Sequence, residues 1–573
     1  MLVKKIRIEK FRSIKKAEIN LNSLTALVGE NNVGKSTVLR AFNAFFNFEE
    51  EEENFLNRRH LFETRNNTKI EVFFEIKTNV ESYSSFITGN TFSVEFQYIY
   101  SNNKKKYILK NGNSKSDIRK EFWDKLKENI QFVLIPLDRN YLHLQWKQST
   151  ILKEVVYEFL KRATKRRDTI SSKVKEISSK IKNSAFDKIS KEIEKYYFLT
   201  HNFKFEINHK EDIDYKLLLN DIQLLINDYD KSFEISDCGS GIQSLSVIAL
   251  YRYLANLRHS NFIIGIEEPE TNLHPQTQRE FINSVKNNSV EDLQIIFTTH
   301  SSVIVDELEH NEIALFNKKE DLKRGFITTV SQIPKEFWEK YDLTEFSYYQ
   351  FYKYRNSDFF FSKFVIIVES KNDAEVLKLI LKNLEIDINS VGISILNLEG
   401  IKKLKYPYYL IKNLNMDFLI ILDKDYFIPY LNDELDKSRN SNGFPKYRYE
   451  YKSNQLDLIK EIIPDERVRT RLLKEFKRNH SSAMNTLENY NVICFRYMLE
   501  IDLIASDTGA NIYYEHLNIS EQNKNKLELL KNRKKQIKDI RNILEVIKRL
   551  PYKNYPNSYK RIRNFLKNKF KSK

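Results

Sequence analysis

Four acids stand where their spacing suits a metal ion. The run Phe364–Val368 is apolar and β-branched, the pattern of a strand buried on both faces, and it ends on Glu369. Asp373 follows four residues later, opening a helical pattern carried by Ala374, Val376, Leu377, Leu379, Ile380 and Leu381. The run Phe418–Leu422 is a second buried-strand pattern, and it leads into Asp423 and Asp425. Acids gathered in one place repel one another unless a cation neutralises them. Oxygen ligands without His or Cys suit Mg²⁺ or Mn²⁺ rather than zinc. A single strand-end acid is ordinary polar punctuation. A Glu after one buried strand and a D-x-D after another read better as a metal centre built from Glu369, Asp373, Asp423 and Asp425.

Between the two runs lie a strand pattern at Ile393–Leu396 and a helix pattern near Lys402–Asn413. The order β-α-β-α-β predicts parallel strands with right-handed crossovers. Functional groups of such sheets gather at the carboxyl ends of the strands, where Glu369, Asp423 and Asp425 fall.

A second constellation lies nearer the N-terminus. Leu24–Val28 is a strand pattern that runs into Gly29-Glu30-Asn31-Asn32-Val33-Gly34-Lys35-Ser36-Thr37 and then into a helical pattern. G-x-x-x-x-G-K-S in that setting predicts a loop whose backbone N–H groups cradle phosphates. Lys35 is expected to reach the β- and γ-phosphates and Ser36 the Mg²⁺, with Gly29, Asn32, Gly34 and Thr37 completing the ATP contacts. Gly239-Ser240-Gly241-Ile242-Gln243-Ser244 opens another helical pattern, so Ser240, Gly241 and Gln243 form a candidate second phosphate site. That loop looks like the signature motif of ABC-type ATPases, which caps ATP held by a second subunit. Phe262–Ile266 ends in Glu267-Glu268-Pro269-Glu270, resembling a Walker B segment with Glu for the commoner Asp. Glu267 would hold Mg²⁺ through water, and Glu268 would orient the attacking water. Ile295–Phe297 leads into Thr298-Thr299-His300-Ser301, the place of a switch histidine, which gives His300 a γ-phosphate role. Arg139 is a further, weaker nucleotide candidate.

The stretch 69–100 alternates like antiparallel strands joined through Gly89-Asn90. Glu49–Glu53 reads as a solvated loop. Ile151, Leu152, Val155, Val156, Phe159 and Leu160 share one helical face, and Ile170, Val174, Ile177 and Ile181 form a short heptad-like seam. This helical insertion is either a hairpin packed on its own domain or an oligomerisation arm.

With 573 residues the chain is long enough for several cores, and 41% hydrophobic with 30% charged residues is a globular composition. Two cysteines, Cys238 and Cys494, give no disulfide framework and fit a reducing, cytoplasmic setting. The N-terminus lacks the apolar core of a signal peptide, and no apolar run reaches membrane-spanning length. The net charge is +16, and Lys524–Lys573 holds 18 Lys and Arg against three acids. That basic end suggests a polyanion partner, double-stranded DNA being the simplest.

The Glu and D-x-D spacing resembles the Toprim domain. A P-loop, signature loop, E-E-P-E-x-N-L-H-P and T-T-H-S followed by such a unit resemble the OLD (overcoming lysogenization defect) nucleases. Length and motif order also resemble the nuclease subunit of Gabija-type antiphage systems, a branch of that family with a helicase-like protein partner. The expected fold is α/β: an ABC-type P-loop ATPase head (1–148 and 201–320) with a helical insertion (149–200), a linker (321–359), a Toprim α/β domain (360–510) and a basic helical C-terminal region (511–573). The resemblance implies two-metal DNA cleavage regulated by ATP, in a homo-oligomer, dimer or tetramer. It assigns Glu369 and Asp373 to the first acidic pair, and Asp423 and Asp425 to the D-x-D. It also calls for a later acid, Asp502 in preference to Glu500, and a downstream basic residue, Lys534 or Lys535 among several nearby lysines. The Toprim loop ordinarily has Gly after its first Glu; here it is Ser370. A non-nucleolytic DNA-binding ATPase of the recombination or repair type is the alternative, and a topoisomerase a more distant one.

Overall fold

The computed structural model divides the chain into two compact units, Met1–Lys335 and Glu336–Lys573. It describes residues 1–63, 67–77, 83–137, 151–156, 185–197, 203–209, 222–228, 230–238, 240–258, 261–287, 293–322, 324–344, 357–432, 434–531 and 536–571.

The central sheet of the first unit runs Gly325–Gln332, Ile313–Asp321, Leu24–Gly29, Leu293–Thr299, Asn261–Glu267, Ile130–Ile135. All neighbours are parallel except the first two. Leu24–Gly29, Asn261–Glu267 and Leu293–Thr299 are buried at every residue, which is why their sequences show no alternation. A second, antiparallel sheet runs Ile14–Asn20, Leu2–Phe11, Thr68–Glu75, Thr91–Ile99, Lys104–Asn111, Ser114–Asp117. The helix after the P-loop, Lys35–Phe46, packs against both sheets. Phe42 stacks on Phe132 of the central sheet at 5.4 Å, and Phe45 and Phe46 meet Phe74 of the antiparallel sheet at 6.2 and 6.4 Å. Gripped on two sides, the helix fixes the loop at its N-terminus.

Two sequence expectations change in this unit, and a third is narrowed. Glu49–Glu53 is no solvated loop: it lies in the helix Phe48–Leu56, and Glu51 is fully buried. Arg40, Asn43, Asn54 and the His60 ring surround its carboxylate at 2.8–3.1 Å. A run of five acids looks solvated, and nothing in it marks the one that faces inward. The proposed linker also starts too early, because Gly325–Gln332 is a strand of the central sheet. Of the helical insertion, Ile151, Leu152, Val155 and Val156 are buried, and the helix Asp187–Tyr196 buries Ile189 and Ile193. Tyr196 of that helix accepts a hydrogen bond from Asn256, so this part packs on its own unit. Phe159, Leu160 and the Ile170–Ile181 seam lie outside the described residues.

The second unit is built on a four-stranded sheet in the order Ile393–Asn397, Phe364–Val368, Asp417–Leu422, Val492–Cys494, parallel throughout. The first three strands agree with the sequence pattern. The fourth has three residues, too few to carry a pattern. The basic C-terminal region is not a separate tail. Ile543, Val546, Ile547, Tyr559, Ile562 and Leu566 are buried in the same unit. The helix Asn557–Lys571 ties back through Arg561 to Glu488 and Lys569 to Asp417, both at 2.8 Å. A helix with basic residues outside and apolar ones inside gives the same charge count as a free tail.

Glu51 yields a measurable consequence. Against burial, its partners hold the carboxyl down to about 2, while burial lowers the pKa of His60, whose Nε2 lies 2.8 Å from it. The stabilisation is fully present above about pH 4.5 and is lost as pH falls toward 2. Glu51→Ala leaves Arg40, Asn43 and His60 facing a cavity and should cost about 3 kcal/mol. Calorimetry at neutral pH should show the first unit melting earlier in the variant, with the difference shrinking in acid.

Candidate functional site

Glu369 follows the strand Phe364–Val368 directly, and Asp423 follows Asp417–Leu422, so the neighbouring parallel strands put both acids at one sheet edge. Asp425 lies in the short turn Lys424–Tyr426. The acids are near enough to govern one another's protonation. Burial, then Asp425 and Asp373, push Glu369 up to about 7. Burial, then Glu369, Asp373, Asp425 and Glu500, push Asp423 well above the ordinary carboxyl range. Among the described residues no three His, Cys, Asp or Glu side chains stand close enough together to enclose an ion as placed. The donor set nonetheless fits a hard divalent cation: all oxygen, mutually repelling, and half-buried or buried.

Asp373 sits in the first turn of the helix Lys371–Asn383 and forms a capping box with Ser370. Ser370 N–H and Oγ donate to Asp373 Oδ2 at 2.9 and 2.5 Å. Ser370 has φ −134°, an extended conformation open to any residue, so the missing Gly changes nothing in the backbone. The serine hydroxyl instead fixes Asp373. Burial pushes that carboxyl up to about 6, with the Ser370 hydrogen bonds opposing and Glu500 adding to the rise.

Asp502 and Glu500 have different surroundings. Both lie in the first turn of Leu499–Ala505, and two residues on a helix point about 200° apart. Asp502 accepts from Arg496 N–H and Tyr497 N–H, each at 2.8 Å, and from Ser558 Oγ at 2.6 Å. Its carboxylate is thus occupied in joining a loop to the C-terminal helix. Glu500, 5% exposed, is the acid whose charge reaches both Asp373 and Asp423.

Three lysines near the acids carried no sequence signal. Lys452 Nζ donates to Asp425 O at 2.7 Å and stands 3.8 Å from its carboxylate. Lys538 lowers the Glu369 pKa alongside Lys452, and its carbonyl accepts from Asn372 at 2.9 Å. Lys534 and Lys535 lie outside the described residues. Lys424, between the two acids of the D-x-D, is buried; Nζ donates to Phe476 O at 3.2 Å and lies 4.9 Å from the Tyr447 ring. Burial lowers its pKa to about 8.

In the first unit, Gly34 caps the P-loop helix at φ +99°, and a Cβ there would stand 2.6 Å from Ser13 Oγ. Lys35 is buried and donates to Gly29 O and Glu30 O at 2.9 and 2.7 Å. Burial lowers its pKa to about 8, against the pull of Glu268 and Glu270. Asn32, Ser36 and Thr37 occupy the same loop and first helical turn. Glu267 accepts from Leu137 N–H at 3.0 Å. Glu268 has φ +45°, a left-handed conformation costly for a non-glycine residue and found preferentially at functional sites. His300 Nε2 is 3.5 Å from Glu268 Oε1, and burial, then Lys35, hold its pKa near 4, so the ring is neutral at pH 7. Glu270, given no role by sequence, accepts from His300 N–H at 2.7 Å and Thr299 Oγ1 at 2.9 Å. It fixes the histidine's backbone. Ser240 and Gly241 begin the helix Ser240–Arg258, and Gln243 donates to Cys238 O at 2.8 Å. Arg139 lies outside the described residues.

These geometries give a P-loop ATPase followed by a Toprim unit. Residues 24–306 match the family described as "AAA domain, putative AbiEii toxin, Type IV TA system". Residues 360–425 match "Overcoming lysogenization defect protein-like, TOPRIM domain". The chain thus carries an ATPase match followed by an OLD-like Toprim match. It is 23% identical over 498 residues to Endonuclease GajA of Bacillus cereus (strain HuB5-5), spanning 72% of each chain. It is 23% identical to the Old nuclease of Escherichia phage P2, spanning 74% of this chain and 77% of that one. The OLD nuclease of Thermus scotoductus (strain ATCC 700910 / SA-01) matches at 25% over 36% of this chain and 39% of its own. An Smc head bound to the C-winged helix domain of ScpA superimposes at a TM-score of 0.42 with 13% identity, over 59% of this chain and 100% of that one.

The two acids of Leu499–Ala505 can be separated experimentally. Glu500→Gln should weaken Mn²⁺ binding by about tenfold or more, read by titration calorimetry, with the unfolding temperature little changed. Asp502→Ala should instead destabilise the second unit by about 2 kcal/mol, because three donors lose their acceptor. The reverse pattern would restore Asp502 as the ligand.

Proposed function

We propose that this chain is an ATP-regulated, metal-dependent DNA endonuclease that hydrolyses phosphodiester bonds in antiphage defence. One observation carries the reading: Glu369 and Asp423 end neighbouring parallel strands, with the charges of Asp373, Asp425 and Glu500 reaching Asp423, on a chain that also carries a P-loop. The names of the nuclease relatives support it. These five carboxylates would hold Mg²⁺ or Mn²⁺. When bound, such ions supply Lewis acidity that activates water and stabilises the leaving oxygen.

The chain's own groups do the rest. The Ser370 cap keeps Asp373 in one rotamer, and Lys452 fixes the backbone of Asp425. Lys538, whose charge reaches Glu369 alongside that of Lys452, is suited to meet a scissile phosphate. In the first unit Lys35 exchanges two loop carbonyls for the β- and γ-phosphates of ATP. Glu267 and Ser36 serve its Mg²⁺, Glu268 orients water, and neutral His300 donates to the γ-phosphate. Ser240, Gly241 and Gln243 would close on ATP held by a second copy, which calls for a dimer or a dimer of dimers. A helicase-like partner is part of the same reading. No helix among the described residues is long and apolar enough to cross a membrane.

The test is supercoiled plasmid with Mg²⁺ or Mn²⁺, with and without ATP. Glu369→Ala and Asp423→Ala should each lower cutting by roughly 10²-fold, about 2.7 kcal/mol in the barrier, and leave ATP turnover intact. Lys35→Ala should abolish nucleotide binding, and Glu268→Gln should bind ATP without hydrolysing it. Cutting at the wild-type rate by both Toprim variants would replace the nuclease with a DNA-binding ATPase.

A further inference from the structure

The helix Glu466–Arg478 in the second unit carries a row of cations. Arg467, Arg471, Lys474 and Arg478 are spaced 4, 3 and 4 residues apart and are all exposed. At about 100° per residue they fall within an arc of about 60° and extend over about 16 Å of helix. Leu472 and Phe476, on the opposite face, are buried. Of the six cations of the C-terminal helix Asn557–Lys571, three stand beside carboxylates: Lys569 by Asp417, Lys571 by Glu385 and Arg561 by Glu488. Here Arg467, Lys474 and Arg478 meet no carboxylate among the described residues, and Arg471 has only Glu475 of its own helix, at 3.6 Å. Like charges in one row repel, and the arrangement lowers stability unless an anion covers it.

The helix is anchored to the acid site at two points. Lys424, between Asp423 and Asp425, donates to Phe476 O at 3.2 Å. Tyr451 OH donates to Arg469 O at 2.6 Å, one residue before the Lys452 that holds Asp425. We propose that this stripe is the docking surface for duplex DNA, holding the phosphate backbone so that a strand lies across the carboxylates. The proposal rests on the nuclease reading and places DNA on this helix instead of the basic C-terminal region. A straight row of cations on a rigid helix matches the regular charge of a duplex. The exposed Tyr449, with Lys477 5.8 Å from its ring, flanks the row.

The test replaces Arg467, Arg471, Lys474 and Arg478 by Gln together in the full chain. A second variant removes equal charge elsewhere: Lys548→Gln, Arg549→Gln, Lys553→Gln and Lys567→Gln. Binding of a labelled duplex is measured by anisotropy with Ca²⁺ over a salt series, and circular dichroism and ATP turnover verify the fold. The stripe variant should bind at least tenfold more weakly, with the log–log salt slope smaller by about 3 to 4, at about 0.9 for each phosphate no longer neutralised. In Mg²⁺ its KM for plasmid should rise with kcat nearly unchanged. The second variant should shift the slope by less than about 1. An unchanged slope in the stripe variant, or equal losses in both, overturns the docking surface and leaves the nuclease reading intact. Wild-type protein that binds duplex through the stripe but never cuts it retains the docking surface and removes the nuclease reading.

Discussion

Repulsion among carboxylates at the edge of one parallel sheet is the constraint on which the second unit depends. Bringing Glu369, Asp423 and Asp425 to neighbouring strand ends, with Asp373 and Glu500 on helices behind them, raises the affinity of Glu369, Asp373 and Asp423 for protons. An acid whose pKa is higher in the folded chain than in the unfolded one loses the fold stability as pH rises. A sequence selected only for stability would not collect five acids there. The surrounding structure absorbs the strain in specific ways. Ser370 caps Asp373, Lys452 reaches Asp425, and the buried Lys424 lodges against Phe476 and Tyr447.

The first unit solves the opposite problem. Its buried charge is a cation, Lys35, held by two carbonyls of its own loop and drawn toward Glu268 and Glu270. Around it the backbone is bent into conformations that side chains resist: Gly34 at φ +99° and Glu268 at φ +45°. Glu270 adds a restraint that no motif spacing revealed, since it holds His300 through the backbone N–H rather than through the ring. The ring is left neutral, so it can donate one proton and accept another. Preorganisation of this kind fits a site whose task is to read whether a γ-phosphate is present.

What could be read from the sequence follows from the reach of each signal. The buried strands Leu24–Gly29, Asn261–Glu267, Leu293–Thr299, Phe364–Val368 and Asp417–Leu422 are apolar runs, and the residues at their ends are fixed by adjacency. The strand-end positions of the P-loop, Glu267, Glu268, His300, Glu369, Asp423 and Asp425 were legible for that reason. Residues brought in from a distance were not. Lys452 lies 27 residues from Asp425, and Lys538 166 residues from Asn372, with no periodicity to connect them. Glu51 failed differently. It lies in a run of acids, and only the packed helix tells which one turns inward. Val492–Cys494 is shorter than any periodicity can register.

Asp502 connects these observations. Its carboxylate accepts from the loop Arg496–Tyr497 on one side and from Ser558 on the other, while Tyr559 OH donates to Leu499 O at 2.8 Å. The C-terminal helix is thereby tied to the short helix that carries Glu500. A segment whose composition resembles a soluble basic tail is thus part of the wall behind the acid site. Its cations are placed by packing: the apolar stripe Tyr559, Ile562 and Leu566 must face inward, so the lysines and arginines between them face out. Net charge alone cannot tell such a helix from a DNA-binding arm. The distinguishing feature is whether each cation has a carboxylate beside it, and by that criterion the two basic helices of this unit differ in degree: three of the six cations of Asn557–Lys571 are paired, and one of the six of Glu466–Arg478.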